Sequence, residues 1–417
     1  MLVDAHAHLD QYDAVHAGRA LGDLARHRVL TLSVAMDPAS YARACALAER
    51  SPWVIPSFGI HPWRASDYAG QLDALQPLID ASPLLGEIGL DYHWVEDRTA
   101  FPAQRAVFEH FLAQARAQNK IVNLHTKGAE AEVLDALVRH RIERAIVHWY
   151  SGPLELAEAL AARGALFTIG VELHSSPLIQ ELARRLPPEL LLTETDNPGG
   201  LEWLTGEVGM PGHLPEVLGA LARLRRIPLE ELRAQIAANF HRLIAGDAAL
   251  ERYWRRLCGP PVVAACRADI PAWLALAAEV EPLFGPMVGD PAFHGALERN
   301  IDRGTAFCVR AGDGPPGAAL LGGLLFSTSR APEYQIGWLA VAESARRQGV
   351  GHTLAERALA LTPPGAELSV VTFGADQPGA GPARAFYARL GFAPAELLLP
   401  ELEGHSRQVF RLVVPGV

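Results

Sequence analysis

Eight short β-type runs, each followed by a stretch with helical character, fill the first 250 or so residues and restrict the folds open to this chain. The runs are residues 2–6, 29–35, 54–59, 84–89, 121–125, 145–148, 166–170 and 190–196. The stretches between them, such as 41–50, 104–118, 129–139 and 154–163, are rich in Ala, Leu, Glu and Arg, with apolar residues at helical spacing. Strands separated by helices pair in parallel, because the crossover returns each strand in the same direction. Eight such units in about 250 residues predict a (β/α)8 barrel of the TIM type. A doubly wound open sheet is the competing architecture.

Around residues 252–261 the pattern stops at Gly259-Pro260-Pro261, which reads as a domain boundary. Beyond it the spacing predicts a helix over 269–281, strands at 305–310, 320–327 and 334–341, and a turn at 312–317. A helix over 350–361, a strand at 368–373, a helix over 382–390 and a last strand at 408–414 complete this part. The expected organisation is therefore α/β throughout, with a barrel over residues 1–257 and a smaller α/β domain over 262–417.

With 417 residues the chain is too long for one ordinary domain, and its 49% hydrophobic content can fill two cores. No run of apolar residues is long enough for a membrane span, so no membrane partner is expected. The start of the chain shows no basic and apolar leader, and cytoplasmic residence is expected. Cys45, Cys258, Cys266 and Cys308 lack CxxC spacing and read as reduced thiols. The formal charge of −10 argues against sequence-independent coating of DNA. It leaves room for a local site whose positive charge comes from bound metal.

In barrels the chemistry gathers at the C-terminal ends of the strands. The first run ends in His6 and His8, whose i, i+2 spacing puts both imidazoles on one face. The later ends present Glu87, His125, His148 and Asp196. Four histidines and two carboxylates suit divalent transition metals, or Mg²⁺ where water completes the shell. Asp4, on the strand face of His6, is either an acceptor that orients it or a solvated carboxylate. Trp63, Tyr92 and Trp149 are either stacking surfaces or packing.

The fragments DAHAHLD, GIHPW, GEIGLDY, LHTKG, HWYSG and TETDNP, with residues 239–244, resemble in order the motif series of the TatD-like metal-dependent deoxyribonucleases. The resemblance covers residues 1–245. It implies one divalent metal (Zn, Mg or Mn) held by His6, His8, Glu87 and Asp196, and a second held by Glu87, His125 and His148. It further implies Asp196 as the proton acceptor in catalysis, and His61 and Lys127 on substrate phosphate. Lys127 stands where the family more often has Arg, a point charge in place of a two-pronged donor. Trp149 likewise departs from the usual HxFSG form. The implied activity is hydrolysis of DNA, at single-stranded 3′ ends.

A second motif pair lies further on. The strand-like run 334–341 feeds Arg346-Arg347-Gln348-Gly349-Val350-Gly351, where glycines before a helix allow backbone N–H groups to approach an anion. It is followed by Phe386-Tyr387 and Gly391-Phe392. The pair resembles the acyl-CoA signature of the GNAT N-acetyltransferases and implies an acetyl-CoA cofactor and an amine acceptor. Arg346, Arg347, Gly349 and Gly351 would line the pyrophosphate, backbone of Leu339, Ala340 and Val341 the pantetheine arm, and Tyr387 would protonate the departing thiolate. Ala380-Gly381-Pro382 replaces the Asn common before the last helix, and Glu333 is a candidate base. The alternative is a metal hydrolase of a small ester or amide with a non-catalytic acyl-CoA-sensing domain.

Overall fold

The computed structural model describes residues 1–377, 380–399 and 406–414; positions 378–379, 400–405 and 415–417 of the expected second domain lie outside them. It divides into two compact units, Met1–Leu257 and Cys258–Val417. Among the described residues no helix is long and apolar enough to cross a membrane. Cys45, Cys266 and Cys308 are free thiols.

The first unit contains β1 (Leu2–Ala7), β2 (Val29–Val34), β3 (Val54–Ser57), β4 (Leu85–Gly89), β5 (Val122–His125), β6 (Ala145–Val147), β7 (Leu166–Ile169) and β8 (Leu191–Thr193). They lie side by side in chain order, in parallel ladders β1-β2-β3 and β4-β5-β6-β7-β8. A Phe58–Leu85 bridge joins the two ladders, with Gly86 N–H donating to Phe58 O at 2.9 Å. Side chains and single bonds close β8 onto β1: Thr195 N–H donates to Asp4 Oδ1 at 2.9 Å, Thr195 Oγ1 to Asp4 Oδ2 at 2.6 Å, and Asp196 N–H to His6 O at 3.0 Å. Sequential order and closure make this the TIM-type barrel and exclude the open sheet, whose order reverses at a switch point.

Asp4 is therefore not the acceptor that turns the His6 ring, nor a solvated surface group. It is fully buried as the clasp of the barrel, and burial pushes its carboxyl up to about 8. Every residue of β1 to β8 is buried, which accounts for their near-continuous apolar runs. Helices start on side-chain caps, Asp13 accepting from Val15 N and His16 N, and Asp37 from Ser40 N. Strands β3, β6 and β8 end before the apolar runs do, because the last residues leave the ladder to line the barrel mouth. His148 and Asp196 are among these residues.

The second unit is a sheet of order β14-β15-β13-β12-β11-β10-β9, built from β9 (Val263–Ala264), β10 (Ala306–Arg310), β11 (Leu320–Arg330), β12 (Glu333–Val341), β13 (Glu367–Phe373), β14 (Ala393–Leu398) and β15 (Arg407–Val413). Neighbours are antiparallel except β12 and β13. Helices Ile270–Phe284, Pro291–Asp302, Val350–Leu361 and Gly381–Arg389 accompany it. The Pro291–Asp302 helix and β14 escaped the sequence reading for a physical reason. Only Leu297 of that helix is fully buried and every residue of β14 is exposed, so neither carries a marked apolar period.

Leu325 pairs with Trp338 but Phe326 with Ile336, so Gly337 is an extra residue and β12 bulges there. The parallel pairing of β12 with β13 reaches only Ile336–Val370. Past the bulge no ladder joins the two strands among the described residues, which leaves a notch in the pairing of the sheet along Leu339, Ala340 and Val341.

Candidate functional site

Glu87, at the mouth of β4 and 1% exposed, is the centre on which the barrel histidines converge. His125 Nδ1 lies 2.7 Å and His148 Nε2 2.9 Å from its Oε1, with His61 Nε2 at 3.4 Å. On the other oxygen, His8 Nε2 stands at 3.3 Å and His6 Nε2 at 3.6 Å. Asp196 Oδ1 faces the same two imidazoles at 3.5 and 3.6 Å. Candidate ligand atoms of His6, His8 and Glu87, of His6, His148 and Asp196, and of His61, Glu87 and His125 each fall within 4.8 Å of one another. All six residues predicted at these strand ends are thus brought together, and His61, expected on substrate phosphate, stands beside them.

Each ring is turned by a partner behind it. Asn123 donates through Nδ2 to Ala5 O at 2.8 Å, which leaves its Oδ1 to accept from His6 Nδ1 at 2.8 Å. His8 Nδ1 donates to Val34 O at 3.0 Å. Both rings therefore turn Nε2 toward the centre, free to ligate once unprotonated. Glu194 Oε2 lies 3.4 Å behind His148 Nδ1, and Asp91 Oδ2 takes His125 Nε2 at 3.0 Å. Asp91 is itself held by Trp63 Nε1 at 2.7 Å and by the N–H groups of His93 and Trp94. Burial opposes its charge, but these donors hold Asp91 down at about 2.

The electrostatics follow from one buried carboxylate among imidazoles. Burial works against the charge of Glu87, yet the facing histidines keep its carboxyl well below its ordinary value. Burial also works against His8 and His148, but Glu87 and its acidic neighbours raise them to about 9 and about 10. His61 behaves oppositely: burial lowers it to about 4. Its Nδ1 accepts from Trp63 N–H at 3.2 Å, so the neutral ring carries its proton on Nε2, aimed at the centre. His6 Nε2, His148 Nε2 and Glu87 Oε2 are buried and none of them makes a well-aligned hydrogen bond. Orphaned ligand atoms around one point, with only nitrogen and carboxylate donors, fit divalent metal.

His8, His61, Glu87, His125, His148 and Asp196 border a cavity of about 1150 Å³, which also takes in Lys127 and four tryptophans. Lys127 donates its ammonium to Trp149 O and, at 3.0 Å, to Ser151 Oγ, and burial lowers its pKa. Sequence reading missed the orienting groups. Asp91 and Glu194 stand inside the fragments GEIGLDY and TETDNP, and Asn123 two residues before His125 on β5, where strand alternation puts both on one face. Trp94 and Trp203 carried no local signal.

In the second unit, Leu339, Ala340 and Val341 run along the notch, and the turn that carries Arg346 and Arg347 leads into the Val350–Leu361 helix. Both arginines are exposed. Gly349 has φ +85°, a conformation that favours glycine, and leads the helix with no side-chain cap. Gly351 differs: a Cβ there would meet Val341 and Phe386 at 3.4 and 3.6 Å, ordinary contact. Tyr387 is 6% exposed, its ring 5.1 Å from Phe386, 5.6 Å from Phe392 and 6.4 Å from Phe410. Burial pushes its phenol up, so it stays protonated. Glu333 is exposed at the start of β12.

A closed parallel barrel with a histidine–carboxylate centre at its C-terminal mouth defines a metal-dependent hydrolase. The TatD related DNase family matches residues 3–245, more than half of the chain, and the chain belongs to that family. The acetyltransferase (GNAT) domain family matches residues 302–394, so the same chain carries a GNAT domain. Among its relatives is the uncharacterized metal-dependent hydrolase YabD of Bacillus subtilis, 27% identical over 58% of this chain and 98% of its own length. The putative deoxyribonuclease TATDN3 of Mus musculus is 27% identical over 58% of this chain and 87% of its own length. The crystal structure of YJJV, a TatD homologue from Escherichia coli K12, matches with a TM-score of 0.53 and 26% identity, over 58% of this chain and 97% of that one.

Proposed function

We propose that the barrel hydrolyses phosphodiester bonds of DNA at single-stranded 3′ ends, and that the GNAT domain transfers the acetyl group of acetyl-CoA to an amine. The observation that carries the first half is the convergence of His6, His8, His61, His125 and His148 on Glu87, with Asp196 facing His6 and His8. In this reading His6, His8, Glu87 and Asp196 hold one cation and Glu87, His125 and His148 the other. Two divalent cations of the Zn, Mn or Mg kind supply positive charge at the reacting phosphate and make water more acidic. Asp196, 20% exposed where Glu87 is sealed, is placed to take a proton from attacking water. His61 donates its Nε2 proton to a phosphate oxygen, and Lys127 adds one charge at the rim. The name of the mouse relative, a putative deoxyribonuclease, supports the substrate.

In the second half, helix-start N–H groups with Arg346 and Arg347 receive the pyrophosphate. The unpaired edge of β12 along Leu339, Ala340 and Val341 offers backbone groups to the pantetheine amides, and Tyr387, kept protonated by burial, hands its proton to the departing thiolate. The notch past Gly337 is the observation behind this half. A 5′-labelled single strand incubated with metal-loaded protein tests the nuclease: a ladder shortening from the 3′ end is expected, abolished by chelator. Calorimetry with acetyl-CoA tests the second site, and absence of heat at millimolar ligand would overturn it.

A further inference from the structure

Four loops bring tryptophans to the same cavity. Trp149 follows β6 and is held in place: its backbone N–H donates to Glu194 Oε1 at 3.0 Å, and its ring lies against Gly200, where a Cβ would come within 2.8 Å of the ring carbon Cζ3. Trp203, on the short helix after β8, stands edge-on to Trp149 with centroids 6.1 Å apart, and edge-on to Trp94 at 6.2 Å. Trp63 follows β3 and borders the same cavity. Trp203 is 66% exposed, Trp63 55% and Trp94 52%. Single exposed apolar residues are ordinary, but three exposed indoles around one catalytic cavity are not.

The charge of the cavity points the same way. Among the described residues, Lys127 is the only Lys or Arg lining it, and that ammonium is engaged by Trp149 O and Ser151 Oγ. A groove that tracks a nucleic-acid backbone needs a series of cations. Aromatic faces need bases that are not already stacked on each other, which excludes a duplex interior.

We propose that the barrel mouth grips its substrate by stacking unpaired bases on the Trp94–Trp203–Trp149 wall and on Trp63, and not by charge along the backbone. The substrate is then a short single-stranded end. This rests on the nuclease reading and narrows it to one mode of recognition.

The test measures binding, by fluorescence anisotropy on chelator-treated full-length protein, of a labelled oligodeoxyadenylate and of an abasic oligomer with the same number of phosphates. Stacking on a base is expected to favour the base-bearing strand roughly ten-fold or more. Trp203→Ala and Trp94→Ala should narrow that gap, and Trp203→Phe should restore much of it. Because few phosphates are held, affinity should fall by less than about ten-fold between about 50 and 200 mM salt. Equal binding of the two strands overturns the proposal. So does an equal loss on both strands in Trp203→Ala, or a salt effect of a hundred-fold. Hydrolysis is read separately on metal-loaded protein. A base-dependent gap without cleavage of any strand upholds stacking and sinks the nuclease reading; cleavage without a gap does the reverse.

Discussion

Proton bookkeeping at the barrel centre makes the residue scale testable. With His8 raised to about 9 and His148 to about 10, both rings are charged at neutral pH in metal-free protein and must be neutral to ligate. Metal binding near pH 7 should release about two protons, seen by calorimetry in buffers of different ionisation enthalpy. Affinity should weaken as pH falls, by up to roughly a hundred-fold per pH unit. The same shifts have a sign for the metal-free fold. Folded values above the ordinary 6.5 give stability that is fully present below 6.5 and lost as pH rises through 9 to 10. Melts of chelator-treated protein at mildly acidic and strongly alkaline pH check this. Glu87→Gln should lose bound metal by elemental analysis, and full metal content in that variant would count against the shared-ligand assignment. Tyr387→Phe keeps the ring among Phe386, Phe392 and Phe410. It is expected to leave acetyl-CoA affinity intact while lowering transfer by about 10²–10⁴-fold.

Individual elements act by presenting backbone and orienting side chains. Asn123→Ala removes the group that turns His6 and also frees Ala5 O, so metal affinity should drop by about 10–100-fold with the barrel still folded. In the second unit, Asp269 ties three segments together. It accepts from Arg310 Nε at 2.9 Å and Nη2 at 2.8 Å, and from the N–H groups of Gly317 and Cys266, both at 2.9 Å. Burial would raise this carboxyl, but those donors hold it well below 3.8. A depressed carboxylate stabilises the fold above its unfolded value and ceases to as pH falls below it. Asp269→Ala leaves Arg310 unpaired, and denaturant unfolding of this unit should show a loss of about 3 kcal/mol. The two glycines of the arginine turn also separate here. Gly349→Val is expected to damage the turn because of its positive φ, whereas Gly351→Ala meets only ordinary contacts.

For the whole molecule, the question is whether two chemistries share more than a chain. One buried apolar cluster spans Leu2 to Leu250 and another Ala265 to Phe410, with no residue in common. A chain ended at Leu257 is therefore expected to be soluble and to bind metal with the stoichiometry of the full-length protein. Aggregation of this half beside a soluble full-length chain would show that the units depend on each other for folding.

Much of this was already written in local sequence. Strand–helix alternation reports burial on both faces of each strand, and it marked all eight barrel strands. The i, i+2 spacing of His6 and His8 put both on one face, and the ends of later runs marked Glu87, His125, His148 and Asp196 as their companions. What depends on neighbours across the barrel was not readable. Asp4 stands two residues from His6 in sequence, yet it clasps Thr195, while Asn123, from another strand, turns the His6 ring. Periodicity tells which way a side chain points but not what stands opposite. For the same reason only the tertiary structure gathers Trp94, Trp149 and Trp203, from three separate loops, into one wall. The Gly337 bulge and the notch beyond it likewise arise from the register of β12 against two neighbours, a property no single strand contains.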